Sequence, residues 1–139
     1  MEKMSRNQEN YLIMTALYDE IADFKTAGYG LNFRDMDEIF DQLTEKPFSA
    51  QSAYVQNMVS SVLTHYGEII EKFTPHLKNW KWERLPLLTQ AVLLMSYAHF
   101  YYVEKIDKSI VINVAVELAK KYIEEKQAKF INAILDEVL

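Results

Sequence analysis

The sequence predicts an all-α fold in a single domain spanning residues 1–139, and three observations carry that prediction. Chain-breaking residues are scarce, with three glycines and three prolines in 139 residues, which leaves room for long helices rather than many short strands joined by turns. Apolar residues recur at three- and four-residue steps through most of the chain, the spacing of one helix face. Half of the residues are hydrophobic and a quarter are charged. That is enough apolar material for one core at this length, and too much for a disordered chain.

Taken in order, residues from Ser5 to about Lys25 place Ile13, Leu17, Ile21 and Phe24 on one face, and Gly28 and Gly30 end that helix. A short second helix follows, with Phe33, Met36, Ile39, Phe40 and Leu43 on one side and Asp35, Asp37, Glu38 and Asp41 on the other; Pro47 closes it. Ser49 then caps a longer helix carrying Tyr54, Met58, Val62, Tyr66, Ile69 and Phe73. Thr74 and Pro75 start another turn, since proline at the first helical position lacks an amide that had no helical partner anyway. The piece from His76 to Trp82 is expected to be short.

Between Leu85 and Val103 there is no Lys, Arg, Asp or Glu. That length of uncharged chain approaches a membrane span, but Pro86, Thr89, Gln90, Ser96 and His99 lower its hydrophobicity and the neighbouring segments are amphipathic, so it reads as a buried core helix. Asp107 or Ser109 caps the next helix, which runs to Tyr122 with Ile112, Val116 and Ala119 on its core face. Phe130, Ile134, Leu135 and Val138 line the last one. No internal repeat, low-complexity stretch or linker marks a second domain.

Several function classes lose their chemistry at this point. With no cysteine there are no disulfides, thiolate metal sites or cysteine nucleophiles. His65, His76 and His99 are too scattered for a metal cluster. No glycine-rich phosphate loop, nucleophile elbow or kinase signature occurs, and the adjacent acids Glu124-Glu125 and Asp136-Glu137 read as solvated charge rather than a general acid/base pair. The reading is a non-enzyme without metal or cofactor and without a small-molecule substrate. The first ten residues carry no apolar signal core, so a cytoplasmic location off the membrane is expected. A net charge of −5 rules out a surface that attracts nucleic acid everywhere, and any RNA site must be a local patch. Six of the fifteen basic residues lie between Lys105 and Lys129, interleaved with acids, which by itself reads as a mixed solvated face.

More specific are Val111-Ile-Asn-Val-Ala-Val-Glu-Leu-Ala-Lys120 and, after a short connection, Ala128-Lys-Phe-Ile-Asn-Ala-Ile-Leu-Asp136. Their sequence and spacing resemble the NusB family of transcription antitermination factors. Upstream, Trp80-Lys-Trp-Glu-Arg84 before Ala91-Val-Leu-Leu-Met-Ser-Tyr97 is similar to the family's segment leading into its core helix, and Ser5, Arg6, Ala16, Leu17 and Tyr18 match its opening helix. The resemblance covers nearly the whole chain and is weakest between Lys25 and Pro47. It implies about seven helices in two small crossed helical subdomains, binding boxA-type RNA together with the ribosomal protein NusE, without cofactor. Arg6, Asn7 and Asn10 stand where the family usually has three arginines, with Lys3, Lys126 and Lys129 as further basic contacts and Phe130 as a ring that either stacks on a base or packs. Glu83 and Thr89 fall where the family meets its ribosomal-protein partner.

Departures from the family pattern carry physical consequences. Asparagine lacks the charge and planar fork of arginine, so loss of two phosphate contacts is expected to weaken RNA binding and flatten its log-log salt slope by roughly 1.4, at about 0.7 per contact. Leu94, His99 and Val114 occupy positions that commonly hold Arg, Glu and Glu. Replacing a whole ionic cluster is tolerable where stranding one charge is not, so these three are expected to be neighbours that changed as a set. Ala133, in place of a glycine, is expected either to put a methyl group into a close helix contact that tolerates it or to set the helices slightly farther apart. Tyr18 is expected at the core rim, and Asn113 and Asn132 as buried or capping polar groups. The alternative to the RNA-binding reading is an interaction module, with a homodimer as its form, that binds RNA weakly or not at all. A third, an RNA-modifying enzyme, needs a catalytic domain that these residues do not contain.

Overall fold

Why the centre of the uncharged run can do without a charged face is evident from its neighbours. In the computed structural model, which describes residues 3–27, 33–78 and 80–139 (the side chains of 24–27 and 33–35 excepted), the chain forms α1 (Arg6–Ala27), α2 (Phe33–Thr44), α3 (Ala53–Thr64), α4 (Tyr66–Phe73), α5 (Leu87–Ala98), α6 (Lys108–Tyr122) and α7 (Glu125–Val138). Helix α5 touches α1, α3, α4, α6 and α7, and residues 89–98 are all buried. A helix packed on every side has no solvated face to carry charge. The centre of the uncharged run, residues 89–99, is therefore interior, while Tyr101 and Tyr102 at its end are exposed; no helix among the described residues is long and apolar enough to cross a membrane.

Helix α1 also packs on α2 and α3, α6 and α7 pack on each other, and α4 lies against α5 and α7. Buried residues from all seven helices join one contiguous core, among them Ile13, Leu17, Phe40, Met58, Phe73 and Ile131. No strand occurs among the described residues. Gly28, Gly30 and the side chains of Phe24 and Phe33 lie outside the described residues.

Several local expectations are corrected. Ser52 rather than Ser49 caps α3, its Oγ accepting from the Val55 amide at 3.2 Å; Phe48–Ala50 is a short 3-10 turn that takes Ser49 out of register. The long third helix is two, broken at His65 (φ −111°, ψ 20°). One residue leaving the helical region does not change the residue count, so Met58, Val62, Ile69 and Phe73 keep a helical spacing and are all buried across the break. On α6 the fully buried residues are Val111, Ala115, Leu118 and Ala119, with Ile112 and Val116 half-buried against the core, and on α7 they are Ala128, Ile131, Ile134 and Leu135, with Phe130 and Val138 half-buried. Asn113, Asn132 and Ala133 are exposed, so the asparagines are not buried groups and the Ala133 methyl meets solvent instead of a facing helix. Tyr18 is also an exposed side chain.

The uncharged run does not stay regular to its end. After α5 the backbone widens into a π-helical turn, His99–Val103, which closes with the Glu104 amide donating to the His99 carbonyl at 3.2 Å. Such turns are uncommon and concentrate at functional sites. Here it returns Glu104 to the neighbourhood of His99 and α1.

Candidate nucleic-acid interface

Ser5 and Gln8 fix the start of α1. The Ser5 Oγ accepts from the Gln8 amide at 3.1 Å while the Gln8 side chain accepts from the Ser5 amide at 2.8 Å, a reciprocal capping box that satisfies two otherwise open donors. Arg6 is thereby held at the first helical position. Its guanidinium donates to Glu104 at 2.6 Å, lies 3.8 Å from Glu9 and sits 3.7 Å over the Tyr54 ring.

These contacts belong to a network joining three parts of the fold. From α1, Glu9 accepts from the Ser52 hydroxyl and Asn10 accepts from the Tyr54 hydroxyl at 2.5 Å. From the π-helical turn, buried His99 meets Glu104 at 3.2 Å, with its ring edge-on to Tyr54. Burial pushes the Tyr54 hydroxyl up to about 12 despite the nearby Arg6 charge. The Arg6 hydrogen bond holds Glu104 below the usual carboxylate range, and burial holds His99 below the usual imidazole range against the pull of Glu104. Burial opposes the Arg6 charge, but its bond to Glu104 and the Tyr54 contact raise it overall. The network is a neutral imidazole, a carboxylate and a guanidinium: a structural clamp with one half-exposed cation at its rim.

The residues expected from the sequence divide accordingly. Lys3, Arg6, Asn7, Lys126 and Lys129 are exposed, and Phe130 is half-buried and packed against the core, leaving part of its ring accessible. Asn10 is a correction: at 2% exposure with its oxygen bonded to Tyr54, its side chain faces inward. Thr89 is another. It is fully buried and its hydroxyl donates to Gln127 at 2.9 Å, tying α5 to α7, so it presents nothing to an outside partner. Glu83 is exposed in the 3-10 turn Trp82–Arg84. Sequence reasoning missed Ser52, Tyr54 and Glu104, whose partners lie 43, 44 and 98 residues away.

The opening turns of α1 and the start of α7 adjoin through a ring contact: the Tyr11 and Tyr122 centroids are 4.5 Å apart, and α7 follows Tyr122 after two residues. Between α1 and α6 runs an open groove of about 660 Å³, with Asn7, Asn10 and Tyr11 on one wall and Asn113, Val114 and Lys121 on the other. No cluster of three potential metal ligands occurs among the described residues.

The model of the NusB family matches residues 9–139. The chain belongs to the NusB family. A transcription antitermination protein NusB from Clostridium botulinum (strain Kyoto / Type A2) is 30% identical over 143 residues, covering 98% of this chain and all of that protein; one from Oceanobacillus iheyensis is 28% identical over 109 residues, covering 78% and 85%. Among solved structures, T. maritima NusB superposes with a TM-score of 0.77 at 20% identity over 99% of this chain and 92% of its own. Antitermination factors NusB and NusE in complex with dsRNA give 0.70 at 22% identity over 97% of each chain. The NusB fold is thus shared over the full described length. Within it, Leu94, His99 and Val114, which the resemblance leads one to expect as neighbours, lie at different depths: Leu94 is fully buried on α5, His99 is in the polar clamp, and Val114 lines the groove while packing against the core. Asn10 links the last two, since it bonds Tyr54 beside His99 and also lines that groove.

Proposed function

We propose that this chain is a transcription antitermination or termination factor that binds boxA-type RNA together with the ribosomal protein NusE, in the cytoplasm and without catalysis or cofactor. Membership of the NusB family across residues 9–139 carries the reading: every element that forms the candidate interface beyond the first turn of α1 lies inside the match. The exposed set Lys3, Arg6, Asn7, Lys126 and Lys129, with half-buried Phe130, is assigned to RNA and Glu83 to the protein partner.

The clamp on Arg6 favours a competing reading, an interaction module with weak RNA affinity and a second copy of itself as partner. Glu104 already takes a guanidinium donor at 2.6 Å and neutralises its charge locally, so a phosphate meets a weakened cation with fewer donors to offer. Fluorescence anisotropy of labelled boxA RNA, with and without NusE at two salt concentrations, decides between them. Salt-sensitive binding strengthened by NusE is expected; no binding even with NusE would leave the interaction module.

A further inference from the structure

The α1/α6 groove has the chemistry of a site for a neutral planar ring. Its volume, about 660 Å³, is in the range of sites that enclose small ligands. Tyr11 is 42% exposed, with its ring braced by Tyr122, so a π-face is held in place at the wall without being used up in the core. Exposed Asn7 and Asn113 bring amides from opposite walls, each able to donate and accept. Half-buried Val114 contributes an apolar surface between them. The ionisable side chains on the α6 wall, Glu117 and Lys121, are spaced i,i+4 and cancel formally.

Resting on the RNA-binding reading above, we propose that this groove takes one unstacked base of a single-stranded RNA, with Tyr11 as stacking platform and Asn7 and Asn113 reading the base edge. Single-stranded RNA is read by splaying bases onto aromatic side chains and hydrogen-bonding their edges. A groove of zero formal charge suits an uncharged base and not a phosphate, whereas the exposed lysines of α7 suit the backbone on either side. Met4 and Leu43 add exposed apolar surface at the groove, but a peptide helix is held by apolar anchors alone and would leave the facing amides of Asn7 and Asn113 without use, whereas a base edge takes both. The placement also gives Asn7 and Val114 a common role. Both stand where the family pattern is charged, and both face this groove. An arginine and a glutamate there would fill it with charge; their replacements leave it neutral and open.

The test uses the whole chain with NusE and single-stranded boxA-type RNA. Asn113→Ala and Tyr11→Ala, at exposed positions, are each expected to lower RNA affinity about tenfold without changing the salt slope, because a base contact releases no counterions. A set of RNAs with one abasic nucleotide each is expected to contain one member that costs the wild type the same factor and costs Asn113→Ala nothing more. Unchanged affinity in both variants, a flattened salt slope, or weakened NusE binding in the absence of RNA would each overturn the groove assignment while leaving RNA binding intact. Failure of the wild type itself to bind RNA would instead overturn the underlying reading, and the groove assignment with it.

Discussion

Where α1 and α5 lie together, α5 contributes ten consecutive buried residues, 89–98, with no Asp, Glu, Lys or Arg, while α1 turns Glu9, Asn10 and Glu20 inward among Leu12, Ile13, Met14, Ala16, Leu17 and Ile21. The two helices share a contact and differ in what fixes it. On α5 the contact is mainly shape and apolar area: Ser96 donates to the Val92 carbonyl at 2.7 Å and Gln90 to the Leu85 carbonyl at 2.9 Å, both close by in sequence, while Thr89 reaches Gln127 on α7. At the N-terminal end of α1 it is directional, through hydrogen bonds that reach α3 and the π-helical turn. An apolar helix tolerates small shifts along its neighbours; a polar clamp specifies one register, because a buried polar atom that misses its partner loses the hydrogen bond it gave up in water.

The sharpest way to break the contrast is to put a charge into α5. Leu94→Arg is expected to cost about 4 kcal/mol in urea unfolding, since Leu94 is fully buried and an unpaired interior charge is uncompensated. If Leu94 and Val114 changed as a set, adding Val114→Glu recovers part of that loss. Strict additivity of the two substitutions would show that the positions are not coupled.

A smaller effect probes the clamp. Tyr54→Phe removes the donor to buried Asn10 and is expected to cost about 1 to 2 kcal/mol, the penalty for stranding one polar group. A value within experimental error of zero would mean that Asn10 finds another partner and that the contact does not set the register.

The smallest effect is the dependence on pH. His99 and Glu104 both have folded pKa values below their ordinary ones of 6.5 and 4.5, so the unfolded chain takes up each proton at higher pH than the folded protein does. Their contribution is present in full above about pH 6.5 and is lost as pH falls, first through the His99 range and then, below about 4.5, through that of Glu104. Glu104 is 38% exposed, and solvent screens its pair with Arg6, which keeps the change small. Melting temperatures of the wild type and Glu104→Gln from pH 7.5 to 4 check the sign: the wild type declines, and the variant loses the later part of the decline.

Much of the fold was legible along the chain. Period and breaker placement located the helices to within a few residues, and the absence of charge from Leu85 to Val103 identified the central helix. The errors arose where one residue decides a boundary, as at His65, or where a helix face is wide enough to rotate, as on α6. The site was less legible for two reasons. The positions of Asn10 and Thr89 followed from resemblance to RNA and partner contacts, although Asn10 sits three and seven residues before Ile13 and Leu17, on the core face, and Thr89 lies within the uncharged run. Spacing was the better guide at both. The other reason is distance along the chain. Ser5 and Gln8 could have been recognised as a capping box from four residues, but nothing local pairs Arg6 with Glu104.

The sequence by itself determined an all-helical chain, the identity of its central helix and its membership of the NusB family, because helical period, breaker placement and motif spacing are local properties. Only the tertiary structure decided that Arg6 is clamped rather than free, that Asn10 and Thr89 face inward, and that Asn7 and Val114 share a neutral groove. Those facts depend on which side chains meet across gaps of tens of residues, and packing, not periodicity, sets those meetings.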